Sequence, residues 1–278
     1  MIIHSDFHIH TEHSYDAKNS PEEIANAALK MGLRKIGITD HLNFNDEKFL
    51  SDLYASAEHI KRLQKSYPFF ILGVELTPIE KPEFDYIAKH GTIEGYIAPQ
   101  TSSPYDMELG LSKSELMKLG VRYAIGAAHW RVDAPADSRP ETDLNVCIRE
   151  WYRQQMWLAA DERVTILGHP WYNGKGLWYE DFSVIPRSMN MDIAAVLLEN
   201  KKYVECNAGV LCSPKASEKF RHQYAEFLRE LFEMGIPVTY GSDSHRDYGD
   251  RRGEIEKYLS EAGFADGDIS EISEEHLW

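Results

Sequence analysis

Ile2-Ile3-His4-Ser5-Asp6-Phe7-His8-Ile9-His10 reads as a buried strand that ends in a His-x-His pair. Side chains two apart on a strand share a face, so His8 and His10 project together with Ile9 packed behind them. Two imidazoles aimed at one point suit zinc, iron or manganese. An ordinary polar strand end explains a single pair equally well. The strands further along decide between the two readings.

Working outward from that strand, the same kind of ending recurs. Asn19-Ser20-Pro21-Glu22-Glu23 predicts a helix start, with a polar cap, an early proline and acids at the positive end, and Gly32 predicts its stop. A strand over 35–39 runs into Asp40-His41, and a helix over about 46–65 carries Leu53, Ala57, Ile60 and Leu63 at helical spacing. The strand over 69–74 leads to Glu75. Residues 78–119 are irregular, with a strand-like piece at 84–88, and are expected to form an insertion or lid. Strands at 123–128 and 164–168 lead to His129 and His169, with a helix over 141–160 between them. A helix over 191–198 precedes Tyr203-Val204-Glu205-Cys206-Asn207. A helix over 217–234 then leads to a strand at 236–241, which runs into Asp243-Ser244-His245 before a last helix over 251–262.

About seven strand–helix units imply a largely parallel α/β barrel, whose chemistry sits at the C-terminal ends of the strands. The 278 residues suit one undivided domain over 1–278. Hydrophobic content of 43% with 27% charged residues is that of an ordinary globular protein, and no apolar run is long enough for a membrane span. The net charge of −15 disfavours stable binding to nucleic acid, where affinity comes mostly from lysine and arginine on phosphates. Cys147, Cys206 and Cys212 form no Cys-x-x-Cys pair, and Asp6 and His8 come too early for a signal peptide, so a cytoplasmic protein is expected. The oligomeric state is not written in these features.

His8, His10, His41, His129, His169 and His245, half of the twelve histidines, fall at strand ends beside Glu75, Asp243 and Asp40. So many donors exceed one ion's needs and suit two or three. His13 lies near enough to be a ligand or a supporting group, and Asp16 is either a further ligand or a turn aspartate. Glu75 has two oxygens with which to bridge ions. Clustered divalent ions acidify a shared water and clamp a phosphoryl or carbonyl oxygen. With neither a glycine-rich phosphate loop nor Gly-x-Ser-x-Gly present, hydrolysis by metal-bound hydroxide is the leading chemistry.

His8-Ile9-His10, Thr39-Asp40-His41, Gly73-Val74-Glu75, His129, Gly168-His169-Pro170 and Gly241-Ser242-Asp243-Ser244-His245, in that order, resemble the polymerase-and-histidinol-phosphatase (PHP) family. The resemblance implies a distorted (β/α)7, TIM-like barrel with a three-metal site and a stand-alone phosphoesterase similar to histidinol phosphatase. It implies that His8 and His10 bind one ion, with Glu75 bridging to the next and His129 completing the second. Asp16, His41 and His169 would serve a third ion, with Asp243 on the first and His245 on the third. Glu75, Asp243 and His245 would take the catalytic roles, Asp243 or an adjacent water handling protons while a metal-bridging hydroxide attacks phosphorus. Val204-Glu205-Cys206-Asn207 is similar to the family's Glu-Ile-Asn strand, so Asn207 either lines the pocket or caps the strand end. Thr11-Glu12-His13-Ser14-Tyr15-Asp16 and the 78–119 segment depart from the histidinol phosphatases, while the metal-site motifs are kept.

Arg131, two residues after His129, could clamp a phosphate through its guanidinium fork, with Arg246 and Arg139 as lesser candidates. Trp130, Trp171 and Tyr172 flank ligand positions and either stack on a substrate or pack the rim. The expected substrate is a small phosphate monoester. A nuclease or nucleotide phosphoesterase acting on nucleic-acid ends is the nearest rival. A metal-dependent amidohydrolase is more remote, because Glu75 stands where such enzymes often carry a bridging lysine.

Overall fold

Ser20 starts the first helix, α1 (Pro21–Met31), by accepting a hydrogen bond from Glu23 N, while the Glu23 carboxylate accepts from Ser20 N. Gly32 ends it with φ at 69°. Losing a cap of this kind costs about 1 kcal/mol. The structure, a computed structural model, describes residues 3–91, 106–129, 143–174 and 176–278.

Among these residues α1 follows β1 (Ser5–Ile9) and precedes β2 (Lys35–Ile38), β3 (His41–Leu42), α2 (Glu47–Leu63) and β4 (Phe70–Leu76). Then come β5 (Ile79–Glu80), α3 (Lys81–His90), β6 (Met107–Glu108), α4 (Lys113–Lys118), β7 (Tyr123–Gly126) and α5 (Leu144–Ala160). The chain ends with β8 (Ile166–Leu167), α6 (Arg187–Glu199), β9 (Tyr203–Asn207), α7 (Ala208–Leu211), α8 (Glu218–Glu233), β10 (Val238–Gly241) and α9 (Arg252–Glu261). No helix among the described residues is long and apolar enough to cross a membrane.

β1, β2, β4, β7, β8, β9 and β10 pair in that order as parallel neighbours, with β3 set against β4. Sequential parallel pairing through crossover helices winds a sheet toward closure. The two ends meet at one seam, where Asp243 N donates to His8 O at 2.8 Å and His10 N to Ser244 O at 3.1 Å. Lower on the seam, the Asp6 carboxylate takes the place of a backbone acceptor for Ser242 N at 3.0 Å. The result is a seven-stranded α/β barrel, nearly closed, as the alternation of elements predicts.

Phe7, Tyr123, Ile125, Ala127, Ile166, Tyr203 and Ile272 form a cluster of their own, the packed inside of the barrel. Tyr123 spans it, donating from its hydroxyl to Phe7 O at 2.7 Å. The ring has room only because residues 37 and 73 are glycines: a Cβ at Gly37 would lie 1.7 Å from the Tyr123 hydroxyl oxygen. The helices cover the outside through the larger cluster that runs from Ile3 to Phe264.

One element differs from expectation. Residues 84–88 belong to the helix α3, with a proline in its first turn and Gly91 at its end, and not to a strand. Only Ile87 of this helix is buried, so the aromatic and apolar residues that suggested a strand lie on a half-exposed helical face. In the same region β5 and β6 pair antiparallel, apart from the barrel sheet.

Candidate metal centre

The strand ends place His8, His10, His41, Glu75, His129, His169, Asp243 and His245 around one point, and Asp16 joins them from the loop after β1. His8 Nε2, His10 Nε2 and Asp243 Oδ1 form a triangle with sides of 3.1, 3.4 and 3.5 Å. His41 Nε2 and His245 Nε2 lie 3.4 Å apart, each 3.5 Å from one oxygen of Asp16. Glu75 sits between, with Oε1 3.0 Å from His169 Nε2, 3.2 Å from His129 Nε2 and 3.3 Å from His8 Nε2. Its Oε2 is 3.4 Å from His10 Nε2 and 2.8 Å from His41 Nδ1. His169, which the resemblance grouped with Asp16 and His41, thus lies beside Glu75 and His129, its ring centroid 5.0 Å from that of His129.

Hydrogen bonds behind the rings fix which nitrogen faces inward. Thr77 Oγ1 donates to Asn43 Oδ1 at 2.6 Å, so it must accept from His129 Nδ1 at 2.8 Å, and Nε2 presents a lone pair. Ser14 Oγ donates to Asp40 Oδ1 and accepts from His10 Nδ1 at 3.2 Å, with the same result. His8 Nδ1 donates to Glu205 Oε1 at 2.7 Å and His245 Nδ1 to the Asp243 carbonyl at 3.0 Å. In these tautomers four Nε2 atoms turn toward the carboxylate oxygens, at separations that either ring protons or divalent cations relieve. Glu75 Oε2, Asp16 Oδ1 and His41 Nδ1 are buried with no partner in hydrogen-bond geometry, although Glu75 Oε2 and His41 Nδ1 lie 2.8 Å apart. Orphaned acceptors with ring tautomers pinned from behind are what metal ligands require, and the residues fit divalent ions of the zinc, iron or manganese type.

The charge pattern of the side chains agrees. Burial opposes ionisation of Glu75, yet His129, His8 and His41 hold its carboxyl well below the usual range. Asp243 is depressed in the same way, with His8 the main cause against burial. Burial drives His10 down to about 3, helped by His41 and His245. His41, despite burial, is pushed up to about 10 by Glu75 and Asp16. Carboxylates and imidazoliums share the space that ions would occupy.

Two donors sit in strained backbone: Asp243 has φ of 54° and His169 of 23°. Non-glycine residues in this region cost about 1–3 kcal/mol and mark functional sites. The centre is closed beneath, where Glu75 and His8 side chains are 1% exposed, and open above, where His245 is 29% and Asp16 36% exposed.

Other sequence candidates have different roles. Asp40 accepts from Thr11 N, Thr11 Oγ1, Ser14 Oγ and Ser56 Oγ, all within 2.8 Å, so it braces the first loop and has no lone pair to spare. Asn207 caps α7 through Val210 N and donates to Asp243 Oδ2 at 3.2 Å, the strand-end cap that the sequence left open. Trp171 is fully buried, with its indole N–H on Asn190 Oδ1 and its ring against Trp178, and belongs to the core rather than to a substrate stack. Tyr172 remains at the site, its ring 5.1 Å from that of His169. Arg246 is exposed next to His245. Trp130, Arg131 and Arg139 lie outside the described residues. His13 turns away from the centre toward His59.

Sequence reasoning passed over Glu205 as a functional residue. Its carboxylate accepts from His8 Nδ1 and, through Oε2, from His169 N at 2.6 Å, so one buried group aims ligands from two strands. Gly241 makes room for it, since a Cβ there would come 1.9 Å from Glu205 Oε1. An acid in the middle of a buried strand was the available signal, because a buried charge needs partners.

The sequence matches the PHP domain over residues 6–271. The chain belongs to the PHP family. No curated protein matches it in sequence. The PHP chain is similar in structure to a histidinol phosphate phosphatase from Lactococcus lactis, solved with zinc, L-histidinol and phosphate: TM-score 0.66, 19% identity, 98% of each chain covered. It also resembles an Agrobacterium tumefaciens protein solved in its apo form, at TM-score 0.50 and 8% identity over 96% of this chain and 90% of that one. At these identities the two neighbours show the fold alone.

Proposed function

We propose that this PHP protein is a metal-dependent phosphoesterase that hydrolyses a small phosphate monoester, with histidinol phosphate as the first candidate. The observation that carries the reading is the set of inward Nε2 lone pairs and orphaned carboxylate oxygens at the open mouth of the barrel. Three ions would fit: His8, His10, Asp243 and Glu75 would hold one, Glu75, His129 and His169 a second, and Asp16, His41 and His245 a third. When bound, such ions supply an acidified water and positive charge for phosphoryl oxygens.

The chain's own groups do the rest. Glu75 holds two sub-sites in register through its two oxygens. Asp243 faces His8 and His10 with Oδ1, and its Oδ2, steadied by Asn207, takes the proton of the attacking water. His245 and Arg246 border the open side, where a phosphate would enter, and Arg131 is the further candidate clamp. The Lactococcus neighbour's zinc, histidinol and phosphate support the substrate class. The net charge of −15 favours a small phosphoester over a nucleic-acid end, and Glu75 at the bridging position favours a phosphoester over an amide. Three free cysteines agree with a reducing cytoplasm.

The test is phosphate release from histidinol phosphate, sugar phosphates, nucleoside monophosphates and short oligonucleotides. It compares protein loaded with zinc, iron or manganese with protein stripped by a chelator. Turnover on a small monoester that disappears with the metal is expected, together with a lower melting temperature on stripping. Silence of metal-loaded protein on every ester would overturn the assignment.

A further inference from the structure

A second constellation of metal-binding side chains lies on the outer side of the loop that follows β1. Glu12 and His13 from this loop and His59 from α2 bring one donor atom each within 4.8 Å of one another. His13 Nε2 and His59 Nδ1 are 3.1 Å apart. Two imidazole nitrogens on one tetrahedral zinc lie about 3.3 Å apart, given bonds of about 2.0–2.1 Å. On its far side His59 Nε2 donates to Glu22 Oε1, in the first turn of α1, at 3.1 Å. That bond fixes the His59 tautomer with its Nδ1 lone pair toward His13, the carboxylate–histidine support typical of metal ligands. The site is also built in the backbone: Glu12 N donates to Asn19 O at 2.9 Å and His13 N to Thr11 Oγ1 at 3.2 Å.

We propose that Glu12, His13 and His59 form a separate divalent-cation site of the zinc type, with Glu22 as the group that orients His59. Two imidazoles and one carboxylate select zinc-like ions over magnesium or calcium, which favour oxygen donors. Glu12 is exposed, so water completes the coordination. The ion joins the loop that carries Asp16 to α2 and, through Glu22, to α1. It braces the loop from outside the catalytic cluster. The inference stands apart from the phosphatase reading, because the centre at the strand ends uses none of these residues.

The experiment counts zinc per chain by elemental analysis after equilibration and gel filtration. Wild-type protein should retain about one zinc ion more than His59→Ala and than His13→Gln. A His222→Ala control, at a half-buried histidine on α8, should lose none. Glu22→Gln should keep the full count at saturating zinc but release this ion about 10–100-fold more readily in a chelator competition. Equal zinc in wild type, His59→Ala and His13→Gln overturns the site, as does an equal loss in the His222 control. Failure of the phosphatase reading would appear as absent turnover, with the difference in zinc count intact.

Discussion

Replacing Glu205 by glutamine tests how the centre is aimed. The change keeps size and shape but leaves one oxygen where two acceptors are needed, for His8 Nδ1 at 2.7 Å and His169 N at 2.6 Å. If the amide oxygen serves His169 N, its NH2 faces the His8 Nδ1 hydrogen, and the ring must move that hydrogen to Nε2, the nitrogen that faces the ions. If it serves His8, the backbone N–H of His169 is stranded in a buried, already strained turn. The first outcome costs an ion the Nε2 lone pair of His8 and the second leaves a buried donor unmet; loss of such an orienting partner lowers metal affinity about 10–100-fold, or about 1.4–2.7 kcal/mol. A zinc competition titration against a chromophoric chelator reads this directly, with circular dichroism to confirm the fold. Turnover should recover in part as zinc is raised. An affinity within about twofold of wild type, against the 10-fold minimum expected of a lost orienting partner, would refute the reasoning.

Gly37→Ala sets a methyl 1.7 Å from the Tyr123 hydroxyl oxygen and 3.1 Å from the Phe7 backbone, so the barrel interior must shift. Overpacking of this kind should cost about 1–3 kcal/mol and several degrees of melting temperature, and an unchanged melting curve would contradict the tight interior. Glu83 is raised to about 7 by burial and the charge of Glu80. Its folded-state value lies above its unfolded one, so the stability it lends is full in acid and is lost as pH rises through about 7. Glu83→Gln should therefore stabilise by about 1 kcal/mol near pH 8 and by almost nothing near pH 4, after discounting for solvent screening; equal urea midpoints for both proteins at the higher pH would show otherwise.

Much of the fold was legible because local signals and the barrel agree. Ser20, Pro21 and Gly32 bound α1 in structure as in sequence. The strand-end histidines were visible because a period of two puts His8 and His10 on one face whatever lies around them. What escaped notice depends on distant partners. Asp40 sits at a strand end beside His41, yet hydroxyls of Thr11, Ser14 and Ser56 take up its oxygens, and no local pattern encodes their arrival. Glu205 and Asn207 share one face of β9, but which would support a ligand depended on β1 and β10 standing beside them. The aromatic run in α3 looked like a strand because composition outweighed the proline and glycine that frame a half-exposed helix.

The seam joins the first strand of the barrel to its last. Asp243 N and Ser244 O bond to the backbone of His8 and His10 themselves, so candidate ligand residues double as the clasp of the barrel. A nascent chain that has emerged only through β9 carries His8, His10, Glu75, His129 and His169 but lacks Asp243, His245 and the closing strand. Its early histidines would meet cellular metal before their final partners exist. With ions bound as proposed, full coordination would be deferred until translation had passed residue 245, and an ion captured then would lock the two ends of the barrel together.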